Sequence, residues 1–64
     1  MVLYINGVKA EKGMDVKTFR GEPYKLTGWK EPQHSGSTGR VYITDGKFST
    51  EYFPSVVGGE WKDE

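Results

Sequence analysis

The stretch that most constrains the fold of this chain is residues 39–53, GRVYITDGKFSTEYF, where an Asp-Gly pair separates two runs of alternating apolar and polar residues. Asp-Gly between such runs is a strong signal for a β-hairpin. A two-residue type I′ turn at this pair places Ile43 opposite Phe48 and Arg40 opposite Glu51. One face of the predicted hairpin then carries Val41, Ile43, Phe48, Thr50 and Tyr52.

A second hairpin is predicted at the start of the chain, where Asn6-Gly7 pairs Ile5 with Val8. Its apolar face comprises Leu3, Ile5, Val8 and Ala10. An isolated two-stranded ribbon is marginal in water, so this face should pack on the rest of the domain.

The remaining strands are shorter and are separated by glycine and proline. Strands are predicted at residues 16–19, 24–30 and 59–62, with a bulge or bend at Gly28 and one 3₁₀ turn after Pro54. In residues 24–30, alternation puts Leu26 on one face and Trp29 on the other. Residues 31–38, EPQHSGST, lack periodicity and are predicted to form an exposed loop.

The core is expected to depend on aromatic side chains. A chain of 64 residues without cysteine has no disulfide to support it, and folding removes only about 60% of its surface from water. Each large ring can bury roughly 150–250 Å². Nine are available: Tyr4, Phe19, Tyr24, Trp29, Tyr42, Phe48, Tyr52, Phe53 and Trp61.

The order of these segments resembles the SH3-like barrels, including the KOW type. Residues 14–62 carry the resemblance, and Thr38-Gly39-Arg40-Val41 and Phe53-Pro54-Ser55-Val56-Val57 match best. The predicted fold is therefore all-β: one domain over residues 1–64, with an N-terminal β-hairpin at 1–13, a small SH3-like barrel of five to seven short strands at 14–62, and one 3₁₀ turn. The Ala-Leu-Tyr-Asp-Tyr and Trp-Trp motifs of peptide-binding SH3 domains are missing, so recognition of proline-rich ligands is not implied.

Composition argues against a strongly charged surface for polyanions and against a membrane-spanning segment. Nine basic residues balance nine acidic ones, so the chain has no strong field to attract polyanions. It contains no apolar run of the ~20 residues that span a membrane. We expect a cytoplasmic protein. The sequence is also similar to small accessory proteins of bacteriophages, for which the compartment would be the host cytoplasm.

Chemistry by a nucleophile, an acid-base pair or a metal is not expected. His34 is the only histidine, and it has no cysteine and no spaced carboxylate pair to act with. The segment Gly36-Ser37-Thr38-Gly39 lacks the lysine and the helix that a phosphate-binding loop requires. We therefore predict no enzyme activity, no cofactor and no metal.

Binding is the function that the sequence favours, and two kinds of partner remain open. The predicted binding residues are Lys25, Trp29, Lys30, His34, Arg40 and Tyr42. In the first hypothesis Trp29 and Tyr42 anchor a protein partner, or Trp29, Tyr42 and Phe53 form an apolar patch for one. In the alternative, the basic and aromatic residues bind nucleic acid as KOW-like domains do. Trp29 could instead close the barrel, and the sequence does not define the oligomeric state.

Overall fold

Seven short strands and one 3₁₀ turn make up the fold in a computed structural model that describes residues 1–33 and 36–63. The strands are β1 (Val2–Ile5), β2 (Val8–Lys9), β3 (Asp15–Lys17), β4 (Pro23–Lys30), β5 (Arg40–Thr44), β6 (Ser49–Tyr52) and β7 (Gly59–Lys62), and the 3₁₀ turn is Pro54–Val57. They form two antiparallel sheets, β2-β1-β7 and β3-β4-β5-β6. The predicted all-β class, the number of strands, the N-terminal hairpin and the 3₁₀ turn are confirmed.

The N-terminal hairpin has the predicted register, with Ile5 opposite Val8. Asn6 and Gly7 both have positive φ, 50° and 82°, as a type I′ turn requires. The other edge of β1 pairs with β7, so the hairpin and the last strand form one sheet. The inward position predicted for Val8 is wrong, since its side chain is 60% exposed on a two-residue strand at the sheet edge.

The core is aliphatic, which corrects the expectation that aromatic rings fill it. Its members are all buried: Leu3, Ile5, Val16, Leu26, Val41 and Ile43 from the two sheets, Val57 from the 3₁₀ turn, and Ala10, which directly follows β2. Tyr24, Trp29, Tyr52 and Trp61 are half-buried at its margin. The three phenylalanines, Phe19, Phe48 and Phe53, lie at least half exposed. Two sheets this short enclose a space that small branched side chains fill, so the larger rings pack at its border.

The predicted bulge at Gly28 is confirmed, and it changes the face on which Trp29 lies. Between Leu26 and Gly28 the register with β5 shifts, so Thr27 has no partner across the ladder. The extra residue reverses the alternation, and Trp29 comes to lie opposite the buried Val41. The predicted placement of Trp29 on the face away from Leu26 is therefore wrong.

The hairpin of β5 and β6 lies where Asp-Gly predicts it, but its loop has four residues, 45–48, and Thr44 pairs with Ser49. The Asp45 carboxylate accepts hydrogen bonds from the backbone N–H groups of Lys47 and Phe48, both at 2.9 Å. These bonds stabilise a wider turn than the two-residue type I′ turn, and they lower the pKa of Asp45.

The longer loop shifts the predicted register by two residues, which leaves the faces of β6 unchanged. Thr50 still lies opposite Ile43, on the inner side. Phe48, however, lies in the loop and is 75% exposed. The predicted pairing of Arg40 with Glu51 is wrong, because Glu51 lies opposite Tyr42.

The 3₁₀ turn links the two sheets. It ends at Gly58, whose φ of 76° is left-handed, and the Gly58 carbonyl accepts a hydrogen bond of 2.9 Å from the Asn6 N–H. This hydrogen bond joins the Asn6-Gly7 turn of the sheet β2-β1-β7 to the segment that follows β6 of the sheet β3-β4-β5-β6. Within residues 1–33 and 36–63, no helix has the length and apolar character needed to span a bilayer.

Candidate functional site

The structure brings together three of the six residues predicted to bind a partner. Lys30 lies opposite Arg40 across the β4-β5 ladder, and Tyr42 lies two residues further along β5 on the same face. All three line a polar cleft of about 300 Å³. The cleft also contains Glu31 and Glu51, so its charges balance.

The other three predicted residues lie elsewhere or outside the described structure. Lys25 is opposite Thr44, and its Nζ is 2.7 Å from a carboxylate oxygen of Asp15. Trp29 packs against the core on the inner face. His34 lies outside the described residues. A continuous basic and aromatic face formed by all six residues is therefore not seen in the described structure.

Next to the polar cleft is a larger apolar groove of about 630 Å³. Its apolar walls are Met1, Pro32, Phe53, Pro54 and Trp61. Gln33 and Ser37 line both the groove and the cleft, so the two are adjacent. Of the residues in the groove walls, the sequence had placed only Phe53 in a candidate patch.

Trp61 and Gly39 make close contacts at the end of the β4-β5 connection, beside the groove. The Trp61 indole N–H donates to the Thr38 carbonyl at 2.8 Å. Gly39 has φ of +71°, and a Cβ atom there would lie 2.8 Å from Cζ2 of Trp61 and 2.5 Å from the Lys30 carbonyl oxygen. Only glycine allows this approach with this backbone conformation, and Thr38 and Gly39 are thereby held against the Trp61 ring.

Arg40 and Phe53 lie where the groove meets the cleft. The guanidinium carbon of Arg40 is 4.3 Å from the centroid of the Phe53 ring, and its Nη1 donates to the Gly39 carbonyl at 2.8 Å. Phe53 directly follows β6, and Pro54 then begins the 3₁₀ turn. The Phe53 ring is 51% exposed, so it covers part of the Arg40 side chain and still contributes to the open groove.

The groove and the cleft together offer apolar and charged surface side by side. In the described part of the chain, no three His, Cys, Asp or Glu residues come close enough together to hold a metal ion. The groove offers apolar surface with aromatic rings, and the cleft beside it offers the charged ends of Lys30 and Arg40. Together they could hold an apolar side chain and a neighbouring anionic group.

Sequence reasoning missed Trp61, Pro32 and Met1 because they come from segments far apart in the chain. Trp61 was one of the nine rings expected to fill the core, and it is half-buried against the core while part of it lines the groove. Pro32 lies in the predicted loop, where periodicity gives no information on contacts. No pattern in the sequence pointed to this groove.

Comparison of the chain with protein-family models, with curated proteins and with solved structures gave no match. The resemblance to SH3-like barrels thus stays a prediction, and function has to be argued from the site itself.

Proposed function

We propose that this protein is a non-enzymatic interaction module that binds a segment of another protein. An apolar side chain of that segment enters the groove walled by Phe53 and Trp61, and an acidic side chain lies beside Arg40. The observation that carries the proposal is the contact of Arg40 with Phe53, which places a cation at the border of an open apolar groove.

The composition of the groove supports a protein ligand. Aromatic residues and arginine are enriched at the centres of protein interfaces and among the residues that dominate binding energy. Contiguous apolar surface that is open to solvent is typical of sites where a partner binds. Here Phe53 is half exposed beside Pro54 and Trp61, although the core is closed without it.

The charges next to the groove support an acidic group in the ligand. Lys30 and Arg40 lie directly opposite each other across the ladder, and like charges in this position repel. In the described residues neither cation forms an ion pair with a carboxylate. A carboxylate from a partner would relieve this repulsion and accept charge-assisted hydrogen bonds from the Arg40 guanidinium.

Nucleic-acid binding, the alternative from the sequence, has less support. Lys25 is paired with Asp15, Trp29 lies on the inner face, and two glutamates share the cleft with Lys30 and Arg40. A phosphate backbone would therefore meet as many negative as positive charges in the cleft. If the chain is a phage accessory protein, as its resemblance suggests, the proposed protein ligand would belong to the host or to the virus.

A selection from a random peptide library followed by NMR mapping tests the proposal. We expect selected peptides to combine a large apolar residue with Asp or Glu, and to shift the amides of residues 36–40, 53 and 61. Single-stranded and duplex oligonucleotides, added at low and at moderate salt, are the control. Salt-sensitive shifts with oligonucleotides and no selected peptide would contradict the proposal and favour nucleic acid.

A further inference from the structure

Strand β6 is the least protected of the four strands that lie at sheet edges. Exposed edges invite pairing with other chains, and proteins protect them with short strands, charges or bulges. The edge strand β2 has two residues, β3 has three, and β7 carries Glu60 and Lys62. The four residues of β6 include one charge, Glu51, and Phe48 and Phe53 flank them with at least half of each side chain exposed.

The hydrogen bonds of the hairpin show which backbone groups of β6 point outward. The Asp45 N–H donates to the Phe48 carbonyl at 3.2 Å, and Thr44 is opposite Ser49. Bonded and non-bonded pairs alternate along an antiparallel ladder, so Thr50 bonds to β5 while Ser49 and Glu51 direct their N–H and C=O groups to the free edge. In the described residues, β5 is the only strand paired with β6.

We propose that β6 pairs with β6 of a second copy of this chain, in antiparallel orientation, with the two-fold axis at Thr50. Ser49 of each copy then lies opposite Glu51 of the other, and their outward N–H and C=O groups form four hydrogen bonds. Thr50 lies opposite Thr50, and Phe48 lies opposite Tyr52. Hydroxyl pairs and aromatic pairs are both favourable across strands, and the contact covers the two exposed Phe48 rings.

The sequence of β6 favours this register over the one centred on Glu51. Side chains that lie directly opposite each other across two strands point to the same face of the sheet, whereas neighbouring residues along one strand point to opposite faces. A residue therefore cannot lie opposite its neighbour in the second copy, and a two-fold axis perpendicular to the sheet must pass beside one residue and not between two. An axis at Glu51 places two carboxylates opposite each other and pairs Ser49 with Phe53, next to Pro54, which has no N–H. The axis at Thr50 avoids both faults. A second copy can therefore pair with this edge without placing two like charges directly across from each other.

This inference does not depend on the proposed function, because the pairing uses the backbone edge of β6 and the groove lies beyond its end. In the dimer the two four-stranded sheets become one sheet of eight strands. Each copy keeps its own groove, so a dimer would present two binding sites related by the two-fold axis.

Amide hydrogen exchange, measured by NMR on the wild-type protein at several concentrations, tests the pairing. Contacts below about 1,200 Å² are mostly weak and transient, so for pairing through one short strand we expect a dissociation constant of roughly 10 µM to 1 mM. Protection of the Ser49 and Glu51 amides should rise with concentration. The Thr50 amide, bonded to β5, should be protected throughout and is the internal control.

A charge at the two-fold axis gives a second test. Thr50→Lys places two ammonium groups opposite each other and should weaken the dimer about twofold to fivefold in sedimentation equilibrium. Val8→Lys adds the same charge to the edge strand β2 and should leave association unchanged. Sedimentation as a monomer at every concentration, without change in protection at Ser49 and Glu51, would overturn the proposal; so would association that Val8→Lys abolishes and Thr50→Lys does not.

Discussion

The guanidinium of Arg40 lies over the ring of Phe53, with 4.3 Å between the guanidinium carbon and the ring centroid. Arg40 begins β5, and Phe53 follows β6, which pairs with β5. The contact therefore holds the chain in place as it leaves the second sheet and enters the 3₁₀ turn, and it brings a cation to the border of the apolar groove.

This contact should be measurable as a coupling energy. A double-mutant cycle with Arg40→Ala and Phe53→Ala, followed by urea unfolding, should give a coupling of about 0.5–1 kcal/mol in the free energy of unfolding, as for partly exposed cation-π pairs. The single variants should stay folded, because neither side chain belongs to the core. A coupling indistinguishable from zero would show that the two groups do not interact in solution.

Trp29 should act on stability rather than on binding. It packs against the core, so Trp29→Ala should lower the free energy of unfolding by about 2 kcal/mol or more. This is a large part of the total of about 3–10 kcal/mol expected for a chain of this length. Phe19→Ala, at a ring that is 76% exposed, is the control and should change stability little. Equal effects of the two substitutions in urea unfolding would contradict the inner position of Trp29.

Gly39 should tolerate alanine far less well than Gly46. Both have positive φ, +71° and +99°, so both alanines are strained by roughly 1–2 kcal/mol. At Gly46 the Cβ would meet nothing within 4 Å, whereas at Gly39 it would meet the Lys30 carbonyl and the Trp61 ring. Gly39→Ala should thus lower the free energy of unfolding by about 1–3 kcal/mol more than Gly46→Ala does, as measured by thermal or urea unfolding. Equal losses would show that the connection does not rest on Trp61.

The turn at Asp45 should make stability depend on pH. The N–H groups of Phe48 and Lys47 hold the pKa of this carboxyl below its usual value of 3.8. Because the folded pKa is the lower one, the stabilisation is present above the unfolded value and is lost as pH falls through the folded value. Asp45→Asn keeps an acceptor but does not titrate.

The difference in unfolding free energy between the wild type and Asp45→Asn should therefore be largest near neutral pH and shrink below about pH 4. Asp63→Asn, which makes the same change in net charge near the chain end, is the control. A difference that stays constant between neutral and acid pH would contradict a role for the Asp45 charge in the turn.

Local signals in the sequence predicted most of the fold. Asn6-Gly7, Asp45-Gly46 and Gly28 marked two turns and a bulge where the structure has them, because each effect depends on a few adjacent residues. Loop length was harder, since the Asp45 side chain competes with the type I′ turn by bonding to the backbone. The two-residue shift that follows moved Phe48 out of the ladder and Glu51 away from Arg40.

The candidate site was only partly predictable. Lys30, Arg40 and Tyr42 share a face because strand alternation is local, but Trp29 changed sides through one bulged residue. The groove was not predictable from spacing, because Phe53 and Trp61 meet only when the 3₁₀ turn brings β7 back beside the β4-β5 connection. Such contacts depend on the tertiary fold and leave no periodic pattern in the sequence.

The most direct test of the proposed function is the affinity of a selected apolar and acidic peptide for three forms of the protein, measured by isothermal titration calorimetry. Phe53→Ala should weaken binding at least about tenfold, as for an interface anchor that loses more than 1.4 kcal/mol. Phe19→Ala removes a ring that is more exposed than Phe53 and lies outside the groove, and this variant should bind as the wild type does. Equal affinity of the wild type and Phe53→Ala would show that the peptide binds elsewhere and would contradict the groove as the binding site.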